Sequence, residues 1–181
     1  PLMVEGGYRV IAPDFLGHGW SDRRDRFDRS FQDQARMIVA LLKTLKLDRV
    51  DLVGHDTGGA VALILAIEHA ELVNRLVVSN SVCYDRFDDD MLDFGHSLRW
   101  KPRSVDELVE ALEESLRMGR AKAERLTPAV REGIIAPWAS EEGKRSVIRN
   151  AAALNANQTM ALVDRHGVIT APTMVLWGMD D

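Results

Sequence analysis

A chain of 181 residues, 46% apolar and 28% charged, has ordinary globular composition and enough material for one hydrophobic core. Its formal charge of −5, mixed in sign rather than blocked, argues against nucleic acid or an anionic membrane as partner. The lone cysteine, Cys83, excludes an internal disulfide and suits a reducing, cytoplasmic setting, and no apolar run is long enough to span a bilayer.

In chain order, residues 8–12 (YRVIA) predict a short strand ending at Pro13-Asp14, and residues 17–22 (GHGWSD) a loop rich in turn formers. Residues 22–29 alternate in charge and predict a solvated loop. Ser30 and Asp33 stand at capping spacing before a helix whose apolar stripe is Ala35, Ile38, Leu41, Leu42 and Leu45. Residues 49–53 predict the next strand, and residues 59–67 (GAVALILAI) a helix apolar on nearly all sides, hence buried against a sheet. Residues 75–79 (RLVVS) predict a further strand. Alternation of strand and helix with β-branched cores implies a parallel, doubly wound α/β sheet. From Cys83 to about Thr170 the pattern is helix and loop only. Ser104 with Glu107 opens one helix through about Met118, and Ser140 opens another through about Asp164. Residues 171–178 return to strand. The expected organisation is a core at 1–82, a helical cap at 83–170 inserted between two strands, and a return to the core at 171–181.

The segment 51–60 (DLVGHDTGGA) carries the chemistry. It reads as an apolar strand, a turn squeezed between glycines, and the start of the buried helix. A side chain at the middle of such a turn is thrust outward, which nominates Asp56 as a nucleophile. A carboxylate nucleophile forms an alkyl ester by displacement at carbon, whereas serine forms an acyl ester at a carbonyl. Gly54, Gly58, Gly59 and Ala60 leave room for the bend. The backbone N–H of Thr57, at the helix N-terminus, would donate to a developing negative charge, and the same positive end favours an ionised Asp56. The competing reading is that Asp56 merely caps the helix.

Three motifs together resemble the α/β-hydrolase superfamily and, within it, the epoxide hydrolase and haloalkane dehalogenase branch. Residues 8–14 (YRVIAPD), followed by Gly17-x-Gly19-x-Ser21-Asp22, resemble that family's fourth strand and loop. Gly54-His55-Asp56-Thr57-Gly58 resembles its nucleophile elbow. Residues 176–181 (LWGMDD) resemble the strand end that presents the triad acid, here Asp181, with Asp180 adjacent. The resemblance implies a partial α/β-hydrolase sheet with a helical cap. It also implies that Asp181 orients a histidine and stabilises its imidazolium. In some relatives the acid follows the preceding strand, where this chain has Asn80, which carries no charge; Asp85 lies further on. The family's histidine follows its last strand, and its second oxyanion donor lies in a His-Gly-x-Pro loop; neither occurs here. His18, His55, His69, His96 and His166 occupy positions the family does not use for its base. The expectation is therefore an internal fragment of a longer hydrolase, inactive by itself and with exposed sheet edges that lower its stability.

On the substrate side, His96 and Trp100 share a helix face at i, i+4, and Tyr84 and Trp138 join them as candidate substrate contacts. His18 and Trp20 lie on the loop near the mouth. His55 reads as structural, and Cys83 as a small buried hydrophobe. Many relatives carry tryptophan just after the nucleophile, where this chain has Thr57, and epoxide hydrolases use two cap tyrosines, where it has only Tyr84. The reading is an epoxide hydrolase-like enzyme acting on a small apolar substrate. The alternatives are a haloalkane dehalogenase, an esterase or lyase with a non-covalent Asp56, and a non-catalytic ligand receptor. No cofactor or metal is implied, because no ligand set clusters and the glycines do not fit a dinucleotide fingerprint.

Overall fold

The computed structural model describes residues 2–85, 93, 104–118 and 127–179. Its helices are α1 (Leu2–Glu5), α2 (Phe31–Thr44), α3 (Thr57–Glu68), α4 (Val105–Met118), α5 (Pro128–Ile135), α6 (Glu141–Ala153) and α7 (Asn157–Met160). Its strands are β1 (Val50–Asp56), β2 (Val73–Ser81) and β3 (Thr173–Leu176). The three pair in that order, all parallel, with Gly54 beside Val78 and Val78 beside Val175. Between β2 and β3 the described residues are helical or irregular, apart from an isolated bridge at Cys83.

Helix α3 organises the core because it has no polar face to offer water. Every residue from Gly59 to Ile67 is buried, and Ile64 and Leu65 are almost fully enclosed. It packs on β1 and β2 from one side and on α2 from the other, meeting Phe31 and Ala35 there and Val73, Leu76 and Val78 from the sheet. Helix α2 starts where predicted: the Ser30 hydroxyl accepts the Asp33 N–H at 3.3 Å. Helix α4 opens with a reciprocal capping box, Glu107 N–H to Ser104 Oγ at 3.1 Å and Ser104 N–H to Glu107 Oε2 at 2.7 Å.

Two expectations are corrected and one helix is added. Residues 8–12 are not a ladder strand. An apolar groove of about 740 Å³ runs between them and β1, lined by Tyr8, Val10 and Ile11 on one side and Leu52 and Val53 on the other. With that gap alongside, the segment pairs with no strand among the described residues. The helix expected from Ser140 to about Asp164 ends at Ala153, where Leu154 turns extended (φ −65°, ψ 122°). The Asn155 side chain then accepts the Asn157 N–H at 2.9 Å and starts a new short helix. Helix α5 was not expected, although Thr127-Pro128 is a legible start: Thr127 Oγ1 accepts the Val130 N–H at 3.3 Å, and Pro128 occupies the first turn.

Candidate active site

Strand β1 runs on to Asp56, where its register with β2 breaks between His55 and Asp56. There the backbone reverses into α3 with Asp56 at φ 51°, ψ −128°, a conformation L-residues rarely adopt. The bend is held from behind: the Asp56 carbonyl accepts Ser81 Oγ–H at 3.2 Å and Val82 N–H at 3.3 Å. Close packing demands the flanking glycines. A Cβ on Gly54 would stand 2.6 Å from the Gly58 carbonyl oxygen and 2.7 Å from Gly59 Cα, and one on Gly59 would fall on the Ser81 hydroxyl. At Gly58 a Cβ would meet open space, so that glycine is not sterically required. Asp56 occupies the N-cap position of α3, but its side chain makes no capping hydrogen bond, so the helix-cap reading is not what the structure contains.

Asp56 and Thr57 form part of the wall of a cavity of about 280 Å³. Phe15, His18, Arg29, Phe31 and Gln34 come from the loop and α2, and Trp138, Val147, Asn150 and Leu154 come from the helical segment. The loop is clasped to α2 by Gln34, a 2% exposed amide that accepts the Leu16 N–H at 2.8 Å and donates to the Leu16 carbonyl at 3.0 Å. It is tied to α6 by Ser146 Oγ and Asn150 Nδ2, which both donate to the Gly17 carbonyl, at 2.7 and 2.8 Å.

His18 packs edge-on against Phe15 and Trp138, with ring centroids 6.2 and 6.1 Å apart. Its Nδ1 lies 3.3 Å from the Leu16 carbonyl, an acceptor only, which places the proton on Nδ1 in that contact. Burial lowers its pKa, and Arg29 pushes the same way, against the Leu16 carbonyl and Asp14. The ring is therefore a neutral wall of the cavity at pH 7.

Of the sequence-predicted residues, the structure brings Asp56, Thr57 and Trp138 to one cavity, joined by His18. Tyr84 stands apart from it. Its backbone is left-handed (φ 54°), its ring meets His166 edge-on at 5.7 Å, and its carbonyl accepts the Thr159 hydroxyl. Trp20 is 74% exposed and lies against Arg23 instead of lining the cavity. His55 faces the groove beside β1 with Nδ1 3.1 Å from the Ser79 carbonyl. His96, Trp100, Asp180 and Asp181 lie outside the described residues. Gly178 N–H donates to Asn80 Oδ1 at 3.3 Å, tying the chain beyond β3 to the end of β2. The sequence reading missed Arg29, Gln34 and Asn150. Among the described residues, no group of three or more His, Cys, Asp or Glu side chains is placed to hold a metal ion, and no helix is long and apolar enough to cross a membrane.

Comparison with known proteins bears on this geometry. A family model described as the alpha/beta hydrolase fold matches residues 2–181. Haloalkane dehalogenase 2 of Mycobacterium bovis is 27% identical over 194 residues, covering 99% of this chain and 64% of that protein. The 2-hydroxymuconate semialdehyde hydrolase of Pseudomonas sp. strain CF600 is 44% identical over 73 residues, 40% of this chain and 26% of its own length. Among solved structures, the epoxide hydrolase CorEH superposes with a TM-score of 0.73 at 21% identity, over 94% of this chain and 65% of that one, a likeness of fold. The chain spans less than two thirds of the length of each of these relatives.

Proposed function

Because the chain belongs to the alpha/beta hydrolase fold family, we propose that the full-length protein is a hydrolase in which Asp56 is the nucleophile. The observation that carries the reading is the bend at Asp56: a carboxylate on a strained backbone, making no cap bond, in the wall of a cavity roofed by helices. An Asp56 oxygen attacks an electrophilic carbon of the substrate, and the bond from that carbon to its leaving oxygen breaks. The leaving oxygen takes a proton from water, and the substrate is held as an alkyl ester. Water then attacks the ester carbonyl carbon. The Thr57 N–H stabilises the negative charge of the tetrahedral intermediate, and collapse returns Asp56 and releases a diol. Asp181 orients the histidine that activates this water. Phe15, Phe31 and Trp138 give the substrate's apolar body its walls, and 280 Å³ suits a small molecule.

An epoxide is the substrate class favoured, since Thr57 lacks the indole N–H by which the halide-directed relatives hold a halide. The likeness to haloalkane dehalogenase 2 supports carbon–halogen cleavage as the second reading. Release of bromide from 1,2-dibromoethane with no opening of styrene oxide selects that second reading. A single turnover in heavy-oxygen water tests the nucleophile: the first product molecule carries ordinary oxygen from the enzyme. Full incorporation of solvent oxygen in that first turnover refutes an ester at Asp56.

A further inference from the structure

Arg29 lines the same cavity as Asp56 and is only 7% exposed. A guanidinium carries five N–H donors. Nη1 donates to the Ser146 carbonyl at 2.8 Å, Ser146 Oγ at 2.8 Å and Asn150 Oδ1 at 2.7 Å, and Nη2 donates to the Arg23 carbonyl at 2.8 Å. All four acceptors are neutral. Nε is buried with no acceptor among the described residues. Among the described residues no carboxylate lies within ion-pair distance of Arg29; Asp25, whose charge it feels, is paired with Arg149. Burial and the like charges of Arg149 and Arg23 lower its pKa, which marks a setting short of negative charge. A guanidinium nonetheless stays ionised at neutral pH.

One reading is that Arg29 only pins α6 to the loop. Its four hydrogen bonds do so, but neutral donors would serve as well, and the unused Nε–H has no place in that account. A buried cation without a counter-ion is unfavourable unless something anionic completes it. Nε and Nη2 form the side of a guanidinium that grips a carboxylate through two parallel hydrogen bonds.

We propose that Arg29 anchors a carboxylate on the substrate: the cavity takes a small, largely apolar carboxylate whose reacting carbon faces Asp56. The position of the reacting carbon rests on the hydrolase reading above; the carboxylate site does not. Nε is shielded from solvent as the wall stands, so pairing requires the planar guanidinium to turn as a unit toward the incoming anion, exchanging bonds from Nη1 and Nη2 to neutral acceptors for bonds to a charged one. The same charge offsets repulsion between the substrate carboxylate and Asp56.

The test is equilibrium binding to the full-length protein of phenylacetate against phenylacetamide, near-isosteres differing in charge, measured by calorimetry. Phenylacetate is expected to bind about tenfold or more tighter, the worth of one charge-assisted pair. Arg29→Gln abolishes the preference. Ser146→Ala, which removes one pinning acceptor and keeps the charge, preserves it. Equal binding of the two probes, binding of neither, or a preference that survives Arg29→Gln overturns the proposal. If Arg29→Gln does not fold, the wild-type ratio decides alone. No turnover is read, so failure here is separable from failure of the Asp56 chemistry, which the heavy-oxygen experiment decides.

Discussion

The elbow that carries Asp56 is built by contiguous residues, 54–67, whereas the roof above it joins Arg29 to Ser146 and Asn150, 117 and 121 positions away. The elbow is held by packing: a helix buried on every side, glycines against backbone, a carbonyl tethered to the neighbouring strand. The roof is held by directional bonds between polar groups removed from water. Packing is spread over many weak contacts, whereas loss of one buried hydrogen-bond partner leaves a polar group unsatisfied. Asp56 is thus fixed by a closely packed element, and the residues over it by one whose geometry is sensitive to single polar substitutions.

The contrast can be broken from either side. Asp56→Asn is expected to reduce kcat by at least about 10³-fold while leaving the thermal midpoint nearly unchanged, since it removes chemistry and not packing. A large fall in the midpoint would show that the carboxylate supports the fold. Leu65→Ala, at a 2% exposed position, is expected to lower unfolding free energy by about 2–5 kcal/mol in urea titration. Asn150→Ala is expected to cost about 1–3 kcal/mol, because it strips one acceptor from Arg29 and one donor from Gly17. Unlike Leu65→Ala, it should raise KM at temperatures where the protein is fully folded; an unchanged KM would mean the roof does not shape the cavity.

The smallest effect is a pH dependence. His18 titrates below its ordinary 6.5 in the folded protein, because burial penalises the imidazolium. As pH falls, the unfolded chain takes up this proton first, so the contribution to stability is present above about 6.5 and is lost below it. Between about pH 7.5 and about pH 5.5 the urea midpoint should fall further in the wild type than in His18→Phe. Equal falls would remove His18 from the account.

What the sequence makes legible follows the same division. The need for glycine at 54 is legible because the atoms a Cβ would meet, on Gly58, Gly59 and Ala62, lie within a few residues, and α3 because an all-apolar helix has only one place to go; the need at 59 comes from Ser81 on the next strand. The roof is illegible for a physical reason. Residues 22–29 read as a solvated charge run, and nothing local says that Arg29, beside the cap at Ser30, turns inward to acceptors at 146 and 150. Residues 8–12 carry a strand's composition, but a ladder needs a neighbour, and the groove beside them is a property of the tertiary arrangement. Asp181, His96 and Trp100 stay expectations drawn from the chain, since they lie outside the described residues.

The positive φ at Asp56 sets stability against activity at a single position. Glycine is the residue best suited to a φ of 51° and a ψ of −128°, and any other side chain there holds about 1–3 kcal/mol of torsional strain. Asp56→Gly should therefore relieve that strain while being catalytically dead. The backbone favours a residue with no carboxylate, so selection for folding alone would erase the attacking group of the proposed reaction.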